Sequence, residues 1–294
     1  DPARAQEELE RAYELDETDA RVFLELDQLY KKLEVPFEQR IQNYEKHPEV
    51  IEERDDVRIE YITLQNLLGN YKKAYESIMS HTFRPWEGAE GKITTQYKIA
   101  LLEMAKECID VKEYGQAKDY LEKALRYPEN LGEGRLEGTK DNHIYYYLGI
   151  CNKALGKEQE AHGYFERASL GDIEPAGVMY YYDQPADMIL YQGLAKRELG
   201  KEKEARSRFF KLLDYGEQHL NDEMRIEYFA VSLPDFLIFE DDLNRKNKAH
   251  CWYLMGLSSL GLGELQKAEG FFDKALSYDA NHQNARMYRK MTLK

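Results

Sequence analysis

The stretch Trp252–Asp279, WYLMGLSSLGLGELQKAEGFFDKALSYD, holds two apolar faces separated by the step Gly263-Glu264. In the first face the aromatic Trp252 stands four residues before the small Gly256. In the second, Ala268, Phe272 and Ala275 follow at spacings of four and three, which keeps them on one side of a helix. Small residues at Gly256 and Ala268 let two antiparallel helices approach closely, while the aromatic and Phe positions fill the space beside them. Gly263 readily takes the left-handed conformation that ends a helix. The segment therefore reads as a helical hairpin.

The same frame recurs along the chain. Tyr145, Gly149, Ala161, Phe165 and Ala168 repeat it in full, Gly193, Ala205, Phe209 and Leu212 keep its core, and so do Ala105, Ala117, Leu121 and Ala124. A looser copy uses Ile62, Ala74, Ile78 and His81. Turn residues fall between the faces at Gly69-Asn70, Gly156-Lys157 and Gly200-Lys201. One hairpin cannot bury its apolar face alone, so the copies must stack on one another. The expected fold class is all-α.

Trp252, Met255, Gly256, Ala268, Phe272 and Ala275 resemble the tetratricopeptide repeat pattern W-x2-L-G-x2-Y…A-x3-F…A, with departures at Ser259 and Ala280. The resemblance implies a right-handed α-α superhelix of stacked TPR-like hairpins with inter-repeat insertions. Taken over residues 1–294 as a single solenoid, it gives a partial repeat at 1–19 and a degenerate one at 20–53, where Asp27 and Gln39 occupy positions that favour small residues. Repeats follow at 55–88, 98–131, 142–175, 186–219 and 249–282. An apolar insertion fills 220–248, and 283–294 begins a capping helix.

Inserts separate the repeats at 89–97 (AEGKITTQY), 132–141 (GEGRLEGTKD) and 176–185 (AGVMYYYDQP), each between one repeat's second helix and the next repeat's first. Two readings stand. The inserts project from one edge and build a binding surface, or the flanking helices are a turn or two longer. The 220–248 insertion contains YFAVSLPDFLIF, Tyr228–Phe239, whose apolar side chains are expected to plug the C-terminal half of the superhelix or to line a pocket in it. This insertion also resembles the C-terminal repeat region of large bacterial proteins whose N-terminal part looks like a sugar-mutarotase β-sandwich. That resemblance implies a carbohydrate link outside this chain, and an accessory or oligomerisation domain, possible homo-oligomer included, as the alternative function.

Composition narrows the partners. Asp and Glu number 55 against 41 Lys and Arg, a net charge of −14 that repels a phosphate backbone and an anionic lipid surface. No nucleic acid and no membrane partner is expected, and the longest charge-free stretch, 251–263, is far shorter than the roughly 20 residues of a spanning helix. Cys108, Cys151 and Cys251 are few, odd in number and set in apolar patterns, which points to reduced thiols and a cytoplasmic location. The opening residues begin in mid-pattern, as expected of a piece of a longer chain.

Catalytic motifs are not found. HExxH and GxSxG are absent, GLSSLG at 256–261 lies inside a helical pattern without the strand-to-helix elbow of a serine hydrolase, and the seven His show no metal-ligand spacing. The chain is read as no enzyme, with no cofactor and no metal. The tetratricopeptide resemblance instead implies a protein or peptide partner held on the first helices, and places His143, Tyr146, Lys153, Asp187, Arg197, His250 and Tyr253 on that face. Tyr181, in the Tyr-rich insert, offers a further contact on the edge.

Overall fold

The computed structural model describes residues 2–84, 89–178, 184–224 and 242–293. Among them the fold is all-α, with fifteen α-helices, one 3-10 turn at Glu129–Leu131 and no strand. The order is α1 (Pro2–Leu15), α2 (Ala20–Lys32), α3 (Phe37–Lys46), α4 (Pro48–Glu53), α5 (Asp55–Leu68), α6 (Tyr71–Met79), α7 (Lys92–Asp110) and α8 (Tyr114–Ala124). Then come α9 (Asn142–Ala154), α10 (Glu158–Ala168), α11 (Met188–Glu198), α12 (Glu202–His219), α13 (Leu243–Leu262), α14 (Leu265–Tyr278) and α15 (Gln283–Met291). The described residues divide into two compact units, one from 2–104 and 127–134, the other from 105–126 and from 135 onward.

In the second unit α9/α10, α11/α12 and α13/α14 are antiparallel hairpins, and each first helix also packs on the first helix of the next pair. This is the stacking of an α-α superhelix. Its core is the frame: Ala161, Phe165 and Ala168, then Ala205, Phe209 and Leu212, then Ala268, Phe272 and Ala275 are all buried. Each Phe contributes about 1.5–3 kcal/mol by leaving water. The glycines opposite are what let the rings in. A methyl on Gly256 would lie 2.5 Å from Phe272 Cε1, and a methyl on Gly193 or on Gly261 would lie 2.3 Å from the Phe209 ring.

The hairpin turns share one hydrogen-bond pattern. At the end of α13, Gly263 has φ 80°, its N–H donates to Leu260 O at 3.1 Å, and the Glu264 N–H reaches back to Ser259 O at 2.9 Å. This is the Schellman arrangement, which satisfies carbonyls the helix end leaves unpaired. The same two bonds close α5, α9 and α11. They also close α7 at Lys112 (φ 65°) and α2 at Glu34 (φ 58°), where a residue with a side chain accepts the left-handed conformation.

In the first unit α1 packs on α2, and α3 meets α2 through buried side chains. Glu34 is followed by Val35 and Pro36, one residue more than in the other turns, so the second helix is displaced by one position. Arg40 and Tyr44 are consequently buried and Gln39 is exposed. In place of a small residue stands Asp27, held by Arg40 through two bonds, Nε to Oδ1 at 2.8 Å and Nη2 to Oδ2 at 2.7 Å. The Tyr44 hydroxyl donates to Asp27 Oδ2 at 2.8 Å. Burial works against the Arg40 charge, yet the bond and charge of Asp27 outweigh it and raise the Arg40 pKa.

Helix extension explains part of the inserts. α7 starts at Lys92 and α13 at Leu243, so 92–97 and 243–248 are helical. The 132–141 segment is a loop, tied by Arg135 Nη2 donating to Asp141 at 2.7 Å. The apolar run Tyr228–Phe239, with the plug or pocket expected of it, lies outside the described residues.

Candidate functional site

The first helices of the second unit, α9, α11 and α13, collect the candidate residues along a ladder of aromatic rings. Tyr191 in α11 is its centre. His143, Tyr146 and Tyr147 of α9 stand 5.9, 5.8 and 5.9 Å from it between ring centroids. Offset and edge-on pairs at these distances stabilise beyond the area they bury. Tyr191 continues to Tyr288 of α15 at 6.2 Å, and Tyr288 to Tyr253 of α13 at 5.9 Å. From Tyr253 the ladder runs to His250 at 6.4 Å and His282 at 4.8 Å.

The candidates fall into a covered and an accessible group. Tyr253 is buried, and burial, with the charge of Asp187 adding, pushes its hydroxyl pKa well above the ordinary value. Asp187, the residue before α11, is also buried and accepts a 2.9 Å hydrogen bond from the Tyr288 hydroxyl. His250 donates from Nε2 to the carbonyl of Ala176 at 2.8 Å, and burial lowers its pKa to about 4. That bond fixes the start of the 176–185 insert against α13. Its other end is fixed by Gln184, whose Nε2 donates to Asp172 O at 2.6 Å.

His143 and Tyr146 are half-buried, and burial raises the Tyr146 pKa. Lys153 is exposed and bridges from α9 to Glu198 of α11 at 2.7 Å. Arg197 is half-exposed, pairs with Glu202 at 3.0 Å and lies 5.1 Å over the Phe209 ring. Such exposed pairs contribute about 0–1 kcal/mol each and are easily exchanged for a partner's charges. Tyr181 lies outside the described residues.

Tyr147, Tyr191, Tyr288 and His282 belong to the ladder and are not among the residues expected from sequence. Tyr191 had a signal: like Tyr147, it stands two residues before the frame glycine, Gly193 or Gly149. Tyr145 and Trp252, equivalent in the frame, are each covered by a cation from the second helix of the hairpin. Arg167 lies 4.6 Å from the Tyr145 ring and Lys274 lies 4.1 Å from Trp252. Both cations occupy the position before the last Ala of the frame. These aromatics are packing elements of the hairpins.

Among the described residues no group of three or more His, Cys, Asp and Glu side chains could hold a metal ion. Nor is any described helix long and apolar enough to cross a membrane.

Residues 249–282 match the family model of the Tetratricopeptide repeat, the span read from the frame of α13 and α14. Among solved structures the chain is similar to a tetratricopeptide repeat protein from Parabacteroides merdae, at 15% identity over 100% of this chain and 93% of that one, with a TM-score of 0.45. It is similar also to YrrB, a TPR protein with an unusual peptide-binding site, at 16% identity over 86% of this chain and 97% of that one, TM-score 0.28. The TPR domain of P58(IPK) matches at 13% identity over 99% of this chain and 92% of that one, TM-score 0.29.

Proposed function

We propose that the chain is a non-catalytic protein-interaction scaffold that holds a protein or peptide segment on the first-helix face of its second unit, by side-chain contacts and with no cofactor. The observation that carries this reading is the aromatic ladder of α9, α11 and α13, which Tyr288 of α15 closes between Tyr191 and Tyr253. His143 and Tyr146 stand at one end of it and His250 and Tyr253 at the other, Asp187 accepts from Tyr288, and Lys153 and Arg197 stand on the same helices in exchangeable surface ion pairs. Amphipathic rings offer a flat apolar surface at low entropic cost, and Arg and Lys beside them orient a bound chain by its carboxylates. On this reading Tyr146, Lys153 and Arg197 make the first contacts.

The test is selection of binders from a random peptide library displayed against the full chain, followed by titration of the selected peptides with Tyr146→Ala and with Lys153→Glu/Arg197→Glu. Affinity should fall about tenfold or more in each variant, the range of a lost interface anchor. Peptides that bind both variants as tightly as the parent would refute the assignment of this face.

A further inference from the structure

α15 does not simply continue the stack. Only two of its side chains are buried, Ala285 and Tyr288, and Tyr288 reaches across α13 to α11. Its ring stands 6.2 Å from Tyr191, 5.9 Å from Tyr253 and 6.4 Å, stacked, from Phe272. Its hydroxyl ends on Asp187, 101 positions away in the chain. The recess beneath it therefore has aromatic walls and a carboxylate at its base. That combination recognises a phenol and not a plain apolar ring, since an aliphatic or Phe side chain would bury Asp187 without donating to it.

Charged pairs stand beside this anchor. Arg289 pairs with Asp273 and Glu269 of α14 at 2.5 and 3.1 Å, with a third of each of the Arg289 and Glu269 side chains still exposed. Pairs so exposed hold little free energy. A nine-residue helix has little helical stability of its own, and α15 joins α14 through only four residues, 279–282. Tyr288 is thus the aromatic anchor of α15, with screened ion pairs beside it, on the surface of a chain of net charge −14.

We propose that this surface, formed by Asp187, Tyr191, Tyr253 and Phe272 with Glu269 and Asp273 at its rim, is a docking site for a basic amphipathic helix that presents a tyrosine, and that α15 is its resident occupant. A partner helix of the same chemistry binds by replacing α15. The inference rests on the scaffold reading above and gives the partner's chemical class for the covered part of the face. It also gives the Tyr288–Asp187 bond a role: the chain fills the recess with its own helix until a partner with a matching tyrosine takes the place.

The test uses the full chain carrying Tyr288→Ala and a fluorescent synthetic peptide of residues 280–293, ANHQNARMYRKMTL, followed by anisotropy. The peptide should bind the variant at least about tenfold more tightly than the parent, whose own α15 competes for the recess. The peptide carrying Tyr288→Phe should bind about tenfold more weakly than the Tyr form, as should the Tyr form to Asp187→Asn in the same background. Absence of peptide binding by a variant with parental helix content overturns the proposal and leaves α15 a cap; the peptides selected through Tyr146, Lys153 and Arg197 are unaffected by that result. Should Tyr288→Ala lose helix content, hydrogen exchange of the full-length Tyr288→Phe chain decides. Exchange about tenfold faster in α15 with α13 and α14 unchanged supports a detachable occupant, and unchanged or uniformly faster exchange overturns it. A parent chain that light scattering shows to be a dimer dissociated by Tyr288→Ala would assign the recess to a second copy's α15 and overturn the partner assignment.

Discussion

Replacing Gly256 and Gly270 by alanine, one at a time, should move stability in opposite directions. Both glycines lie inside helices of the same hairpin, α13 and α14. At Gly270 an added methyl meets nothing within 4 Å, so the variant gains the helix preference of Ala over Gly, about 0.8–1 kcal/mol. At Gly256 the same gain is opposed by a clash. The methyl would lie 2.5, 2.6 and 2.9 Å from three atoms of the Phe272 ring, against the roughly 3.5–4.0 Å at which carbon atoms rest. The ring must give way by about 1 Å, and it is fully buried between Tyr253 and Tyr288, at 6.3 and 6.4 Å. Overpacking of this kind costs about 1–3 kcal/mol, so Gly256→Ala should end between neutral and about 2 kcal/mol destabilised. The gap between the two variants is therefore about 1–3 kcal/mol. At about 2–4 °C per kcal/mol for a chain of this size, thermal unfolding followed by circular dichroism should separate their Tm values by several degrees, with Gly270→Ala the higher. Equal shifts, or a higher Tm for Gly256→Ala, would refute the close approach of α13 to Phe272 on which the hairpin reading depends.

Further outcomes follow from other contacts. Arg40→Leu should destabilise by about 3–5 kcal/mol, because it strands the buried Asp27 carboxylate, and adding Asp27→Leu should recover much of that loss in denaturant titrations. An unchanged midpoint for Arg40→Leu would remove the ion pair as the device that joins α3 to α2. Lys112→Gly should stabilise by about 0.5–1 kcal/mol, since φ 65° is strained for Lys and natural for Gly; a lower Tm would count against the turn. Burial holds the folded-state pKa of His250 at about 4, below the ordinary 6.5, and lowers that of His282 as well. The unfolded chain then takes up the His250 proton first, so its contribution is complete above pH 6.5 and is lost as pH falls toward 4, by about 3 kcal/mol. His250→Gln should flatten the stability profile between pH 4 and 6.5 relative to the parent, and an identical slope would place His250 in contact with water.

The frame was legible wherever close approach depends on residue size, because Gly256, Ala268 and Phe272 state their role by spacing alone. For the 89–97 insert two readings stood open, and the longer helix holds from residue 92, where Ile93, Tyr97 and Ala100, all buried, have the spacings of four and three of one helical face. What stayed hidden is what pairing decides. Asp27 reads only as a departure at a position that favours a small residue until Arg40 and Tyr44 meet it, and they do so only because Pro36 lengthens the turn by one residue and displaces α3. Asp187 looked like a polar group offered to a ligand, and Tyr253 like an aromatic beside it. Both are instead roofed by Tyr288, a residue that no repeat position specifies. A frame read along the chain reports how each hairpin closes on itself and on its neighbour. It is silent about a contact spanning 101 residues, which depends on α15 folding back across two first helices. The accessible and covered halves of the aromatic face thus differ in what a partner must do. At Tyr146, Lys153 and Arg197 it has only to arrive and exchange surface ion pairs, whereas at Asp187 it must bring its own hydroxyl and displace one already there.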